Sequence, residues 1–474
     1  MMGPMVGKKL SVMDAFFLAG ESREAMMHVG ALLPFAPPPD APPHWLRGVF
    51  DELRDVGAVE SPWNLRLRWP GMLKSPVQSW IADDRFDLEY HVRRSALPSP
   101  GDERELGVLV SRLHGGQIDF HRPPWEVHFI EGLSGGRFAL YFKVHHSLMD
   151  GYTGARLLAS SLSADPDDAD TPMFFLRPPP ARPPRPPAAE GEAGPDDGDV
   201  TNLAALMHVV REQASAARDV GASVRRLLRA GKDGDRDLVA PNQAPRSILN
   251  RKISRNRRFA TLQLDLDRVK AIGKAADATL NDVCLALVGT ALRRLLGELD
   301  ALPAEPLITM VPVNIRPKDD PGGGNAVGAI LASLATDEPD PLARLHATAA
   351  STRRAKAELA SLSRTAIIQY AALLMAPLSL APVPGLGDLI RPAFNLVVSN
   401  VPGPTHPLYF RGARLEANYP VSIPYHGNAL NITISSYAGT LNVGFTGCRD
   451  AVPRLQRLAV YAGEAADELE AALG

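Results

Sequence analysis

Cysteine is nearly absent: Cys284 and Cys448 are the only two in 474 residues. A disulfide scaffold is excluded, and without a Cys/His cluster at zinc spacing no metal is expected. Such sparing use of thiols fits a reducing cytoplasm. Charge of one sign is lacking as well. Lys and Arg total 51 against 53 Asp and Glu, a net charge of −2, so the whole molecule has no bias towards nucleic acid. Any polyanion site must be a local patch. Long apolar runs are also missing. The opening "MMGPMVGKKLSVMDAFFLAGES" is interrupted by Asp14 and has no small-residue cleavage site, so no secretory signal is expected. The most apolar region, 365–390, is broken by Pro377, Pro382 and Pro384 and falls short of a membrane span. A soluble or peripheral protein is expected.

What is present is ample core material, 45% hydrophobic, in a chain long enough for two domains. Proline, 43 residues in all, crowds into 164–199 together with charged and small residues. Such composition forbids helix interiors and packs poorly. We therefore expect a first domain over 1–165, a proline-rich linker over 166–200 and a second domain over 201–474. The apolar "MFFL", 173–176, is expected to pin the linker locally.

Strand and helix patterns alternate in both halves, which predicts an α/β or α+β class with mixed sheets. In the first half, Trp45, Val49, Leu53 and Val56 share a helical face, and "GDERELGVLVSRLHGG" reads as a second helix with a glycine stop. "WEVHFIEGL" and "RFALYFKVHH" flank "SGG" as a hairpin, with Phe138, Leu140, Phe142 and Val144 on one face. "YTGARLLASSL" then reads as a helix. In the second half, helices are expected over 201–230, 265–276 and 279–298. "EPLITMVPVNIRP" and "NLVVSNVPGP" read as strands, and "ALNITISSYAGTLNVGFTG" as a late hairpin. The polar side of 201–230 is basic through Arg211, Arg218, Arg225, Arg226 and Arg229. It fits a solvated face over a core stripe or, alternatively, contact with anionic lipid.

"KVHHSLMDG", 143–151, puts two histidines at a strand end just before a helix. A strand terminus holds a side chain firmly at the mouth of a cleft, and imidazole accepts protons near neutral pH. His146 could thus serve as a general base, worth roughly 10²–10⁴-fold in rate. Gly151 relieves the backbone at the turn, and Asp150 can organise the loop or pair with a cation. On spacing alone, hydrogen-bonded core histidines, or metal ligation by His145, His146 and Asp150, remain alternatives.

Other matches are weaker. "GLSGG", 132–136, fits a hydrolase motif by letter, but Ser134 falls between two strands rather than on a strand–helix elbow. "PGGGNAVG" lacks the Lys-Ser/Thr of a phosphate-binding loop, and "NIT" has no sign of secretion beside it. Cys284 lies in an apolar helix and reads as core rather than as an acyl carrier. Arg251, Lys252, Arg255, Arg257 and Arg258 form a basic cluster that could meet coenzyme A phosphates, an anionic bilayer or only solvent.

"HHSLMDG" carries the HHxxxDG signature of the CoA-dependent acyltransferase superfamily. "LSVMDAFFL", "MHVGALLPF", "RPPWEVHFIEGL", "TLNDVCLALVGTALRRLL" and "SNVPGP" together resemble the bacterial wax ester synthase/diacylglycerol acyltransferase family. Pro124 stands where that family has a leucine. The series runs from about residue 10 to 447. The resemblance implies two chloramphenicol-acetyltransferase-like domains in a pseudo-dimer with a channel between them. It implies an acyl-CoA-dependent O-acyltransferase in which His146 is the general base and His145 shapes the site. Asp150 is then structural, paired with Arg316. Ser399 and Asn400 are oxyanion candidates, though both residue types also favour turns. Asn281 and Asp282 lie near the site, where they could equally cap a helix. Pro124 and Trp125 are substrate-contact candidates. No cofactor is implied beyond the coenzyme A thioester as substrate, and neither a metal nor nucleic acid. The acceptor would be a diacylglycerol or fatty alcohol. The expected location is cytoplasmic, peripheral to the inner membrane or lipid droplets, with 201–230 and 365–390 as lipid contacts. A condensation-type enzyme using carrier-bound acyl groups, or a non-catalytic droplet-binding protein, are the alternatives.

Overall fold

The computed structural model describes residues 8–10, 12–54, 59–75, 77–149, 151–176, 237–314, 327–363, 365–367, 369–371, 373–374 and 391–474. Asp150, Arg316, the expected helix 201–230, most of 365–390 and the linker beyond 176 lie outside these.

The first half runs β1 (Lys8–Lys9), α1 (Val12–Gly20), β2 (His28–Ala36), α2 (Trp45–Arg54), β3 (Leu65–Leu67) and β4 (Ser79–Ala82). It continues through α3 (Leu88–His91), β5 (Val92–Ala96), α4 (Glu103–His114), β6 (Trp125–Glu131), β7 (Phe138–His145) and α5 (Gly151–Ser160). The second half has β8 (Arg257–Asp265), α6 (Leu266–Ala275), α7 (Leu280–Glu298), β9 (Ile308–Asn314), β10 (Val327–Ser333) and α8 (Pro341–Ala360). It ends with β11 (Leu396–Val401), β12 (Tyr409–Phe410), β13 (Ala413–Leu415), β14 (Tyr419–Val421), β15 (Leu430–Tyr437), β16 (Thr440–Cys448) and α9 (Arg457–Leu473).

Two large mixed sheets carry the chain, as the α/β reading expects. One has the order β12-β13-β2-β7-β6-β5, the other β10-β9-β11-β15-β16-β8; a small third sheet is β1-β4-β3. Most pairings are antiparallel, but β5 with β6 and β11 with both β9 and β15 are parallel. The division at 166–200 does not contain the sheets. β13 and β14, from the second half, pair with β2 of the first. β14 also lies over β16, where Gly444 is required: a Cβ there would stand 2.0 Å from the Pro420 carbonyl oxygen.

Phe138, Leu140, Phe142 and Val144 do share one face of β7, in a core with Phe35, Trp63 and Trp125. The opposite face is not solvated, however. Ala139, Tyr141, Lys143 and His145 are buried too, because α4 packs over that side, with Tyr419 and Val421 of β14 in the same cluster. Met173, Phe174 and Phe175 sit in the first core, Phe174 against Trp63 and Phe142, so 173–176 is pinned as expected.

The second core centres on α7, whose Val283–Leu292 stretch is buried on nearly all sides. Together α6 and α7 are apolar enough to suggest a span, but they meet at 96°; no single helix among the described residues is long and apolar enough to cross a membrane.

Candidate active site

β7 ends at His145, and three backbone bonds fix the corner that follows. The His145 N–H donates to the Pro124 carbonyl (2.9 Å), the His146 N–H to the Met27 carbonyl (2.9 Å), and Leu148 N–H back to His145 (3.0 Å). Three stretches far apart in sequence, "MHVG", "PPW" and "HHSLM", thus meet at one turn, and His28 faces His145 directly across β2 and β7.

The two histidines then diverge. His145 is 1% exposed, edge-on to Phe120 with ring centroids 4.9 Å apart. Its Nδ1 accepts from the Ser147 hydroxyl (2.6 Å) and the Ser147 N–H (3.2 Å). The proton of the neutral ring therefore sits on Nε2. That atom lies 3.4 Å from Glu21 Oε2, within ion-pair range but too poorly aligned for a hydrogen bond. His146 instead keeps partial exposure, and its ring stacks on Phe17 at 3.8 Å with an interplanar angle of 17°. The outer imidazole is thus oriented by its stack on Phe17.

Behind the corner lies a buried polar layer that sequence reading missed. Glu21, just past α1, accepts from the Met27 N–H (2.6 Å) and from Gln117 Nε2 (2.9 Å). Lys143, two residues before His145, is 2% exposed; its Nζ donates to the Leu113 and Gly116 carbonyls and lies 3.2 Å from Glu126 Oε2. These carbonyls belong to the C-terminal end of α4, where a cation is favoured. Burial lowers the proton affinity of the ammonium, and Glu126 opposes that shift. Burial would raise the Glu126 carboxyl, but the His128 hydrogen bond and the Lys143 and Arg93 charges outweigh it and hold the group down at about 2. His28 is pushed well below the usual imidazole range by burial and by His114 and Lys143. His114 falls to about 3, through burial and Arg257. Both rings are therefore neutral at physiological pH and act as hydrogen-bonding spacers. The signals for this layer were a lysine inside an otherwise apolar strand and a lone glutamate closing an apolar helix.

Ser399 and Asn400 lie half-buried at the end of β11, in parallel register with Thr433 and Ile434. Thr433 Oγ1 is 2.6 Å from Ser422 Oγ, and the Ser422 carbonyl is 3.0 Å from His114 Nε2. Polar contacts therefore run from the strand beside Ser399 to the layer behind His145. Asp282 is at the third position of α7, in a reciprocal capping box with Thr279; its other oxygen accepts from Thr352 (2.5 Å) on α8. That geometry is the helix-cap alternative. Asn281 stands beside it, half-buried. Gly151 opens α5.

Trp125, a substrate-contact candidate, is fully buried; its indole N–H donates to the Trp63 carbonyl (2.7 Å) and its ring stacks on His91 and Phe175. The aromatic core around it leaves no free face. Pro124 is likewise buried and serves the corner through its carbonyl. Within the basic cluster, Arg257 is buried and donates to the Ser254 and Glu24 carbonyls, whereas Arg251, Lys252 and Arg255 are exposed. Burial pushes the Cys284 thiol up to about 12, so it is no thiolate.

Comparison with known proteins points one way. The model of the wax ester synthase/diacylglycerol acyltransferase catalytic domain matches residues 10–284, and that of the WS/DGAT C-terminal domain residues 323–470. A Mycobacterium tuberculosis protein, provisionally named a diacylglycerol O-acyltransferase, is 54% identical over 98% of both chains. The O-acyltransferase WSD of Acinetobacter baylyi is 38% identical over 96% of both. The solved wax ester synthase/diacylglycerol acyltransferase of Marinobacter aquaeolei VT8 is 36% identical, covers 98% of this chain and 99% of its own, and superposes with a TM-score of 0.75. A condensation domain of the calcium-dependent antibiotic synthetase shares the fold at 18% identity, with a TM-score of 0.58. This chain belongs to the wax ester synthase/diacylglycerol acyltransferase family.

Proposed function

We propose that the protein transfers a long-chain acyl group from acyl-CoA to the hydroxyl of a diacylglycerol or long-chain alcohol, giving triacylglycerol or wax ester. The observation that carries this is the half-exposed His146 ring, stacked on Phe17 at a backbone-clamped corner, in a chain of this family. His146 accepts the hydroxyl proton as the alkoxide attacks the thioester carbonyl. Ser399 and Asn400 donate to the oxyanion of the tetrahedral intermediate. On its collapse the coenzyme A thiolate leaves, and the imidazolium returns the proton to sulfur. Transfer is direct, so kinetics are sequential and no acyl-enzyme forms. Both substrates partition into lipid, which supports a place at the inner membrane or droplet surface.

The test offers labelled palmitoyl-CoA, without carrier protein, in parallel with hexadecanol, diacylglycerol and water. His146→Ala should lose roughly 10²–10⁴-fold in ester formation while its circular dichroism stays that of wild type. Unchanged transfer in the variant, or hydrolysis alone in wild type, overturns the reading.

A further inference from the structure

Among the described residues, six large apolar side chains are exposed: Trp69, Met72, Val77, Val108, Leu373 and Val460. Single exposures of this kind are ordinary, but a cluster is not. Trp69, Met72 and Val77, at 47%, 60% and 71% exposure, all lie on the turn that joins β3 to β4. No acidic residue occurs from 61 to 82, while Arg66, Arg68 and Lys74 do. Arg66 is taken up by Asp83 and Asp84. Arg68 lies over the Trp69 ring, 5.7 Å from its centroid, and neither Arg68 nor Lys74 has an ion-pair partner among the described residues. An indole, two aliphatic tips and two free cations on one turn match the chemistry of an anionic bilayer surface.

The turn is also rigid. The buried Gln78 side chain ties it shut, accepting from the Trp69 N–H (3.0 Å) and donating to the Trp69 (2.8 Å) and Met72 (3.3 Å) carbonyls. Successive backbone bonds, Met72 to Trp69 and Ser75 to Met72, hold the tip. Docking therefore orders little that is not already ordered. The inner face of the same small sheet shares its core with the catalytic corner. Leu65, Leu67 and Trp80 pack with Leu18 and Phe120, and Leu148 lies against them. Phe120 meets His145, and Leu18 follows the Phe17 that stacks on His146.

We propose that this turn is a lipid-docking element of the protein. Trp69, Met72 and Val77 enter the headgroup–acyl boundary, Arg68 and Lys74 engage anionic headgroups, and the small sheet sets the histidine corner against the surface that supplies the acceptor. The inference rests on the lipid-acceptor reading above, yet its test is separable from it. Full-length wild type and W69S/M72S/V77S are sedimented with phosphatidylcholine vesicles with and without phosphatidylglycerol. The triple variant should lose binding by on the order of tenfold or more, and R68Q/K74Q should lose the preference for phosphatidylglycerol, by several-fold. Both should keep wild-type circular dichroism and transfer between a water-soluble acyl-CoA and a short alcohol. Brominated phospholipid should quench wild-type fluorescence, and W69F should lose that quenching. Wild-type vesicle binding by the triple variant overturns the proposal, as does a wild-type dimer that the triple variant converts to monomer, which would make the patch a self-interface. Vesicle binding through the turn by a protein inactive on every acyl acceptor would leave the docking standing and remove only the acyltransferase reading.

Discussion

Lys143→Met tests whether the buried polar layer holds the strand that ends in the two histidines. Lys143 and Glu126 side chains are 2% and 7% exposed, and their charged atoms are 3.2 Å apart. Removing one partner of a buried pair leaves the other uncompensated, at about 3–5 kcal/mol. Arg93 at 3.7 Å and His128 at 3.2 Å still face Glu126, which places the cost near the lower end, about 3 kcal/mol. Denaturant unfolding of the single and double variants measures it. Lys143→Met combined with Glu126→Gln should recover to within about 1 kcal/mol of wild type, because no isolated charge remains. The pH dependence has a defined sign. The Glu126 carboxyl sits at about 2 when folded, against 4.5 as its ordinary value. Its contribution is therefore complete above 4.5 and lost as pH falls towards 2. Without Lys143 the folded group rises, so the penalty of Lys143→Met should shrink as pH drops below 4.5. A single variant within about 0.5 kcal/mol of wild type, or a double variant as costly as the sum of the singles, refutes the reasoning.

Other substitutions probe other links. Phe17→Ala frees the His146 ring from its stack and should lower kcat by about 5–10-fold with little change in KM, read by steady-state kinetics. Asp282→Ala removes the α7 capping box and the Thr352 contact; a loss of about 2–3 kcal/mol is expected in denaturant unfolding. Gly444→Ala drives a Cβ against the Pro420 carbonyl and should cost more than about 2 kcal/mol, visible as a lowered thermal midpoint.

Period and punctuation made much of the fold legible. The β6–β7 hairpin, α6, α7 and the β15–β16 hairpin stand where alternation, helical spacing and glycine turns put them. So does the strand end that carries the two histidines. What could not be read was pairing between distant segments. Tyr419–Val421 carries no local mark that its partner is β2, nearly four hundred residues earlier in the chain. The second face of β7 packs against α4, with the Tyr419 and Val421 side chains in the same cluster, so alternation there described only half of the burial. The same cover explains Lys143, whose ammonium is tolerable inside because α4 ends nearby and Glu126 lies alongside. Trp125 and its neighbour Pro124 do different things. The motif that contains it matters to the corner through the Pro124 carbonyl, while the indole fills the core.

The shared strands have a consequence for biosynthesis. As the polypeptide leaves the ribosome, everything through β7 is available early, yet one edge of β2 stays open until residues 413–421 emerge. An open, apolar strand edge invites wrong partners. Translation products truncated before that point should therefore depend on chaperones or precipitate, and splitting the gene at the proline-rich segment should yield an insoluble front half.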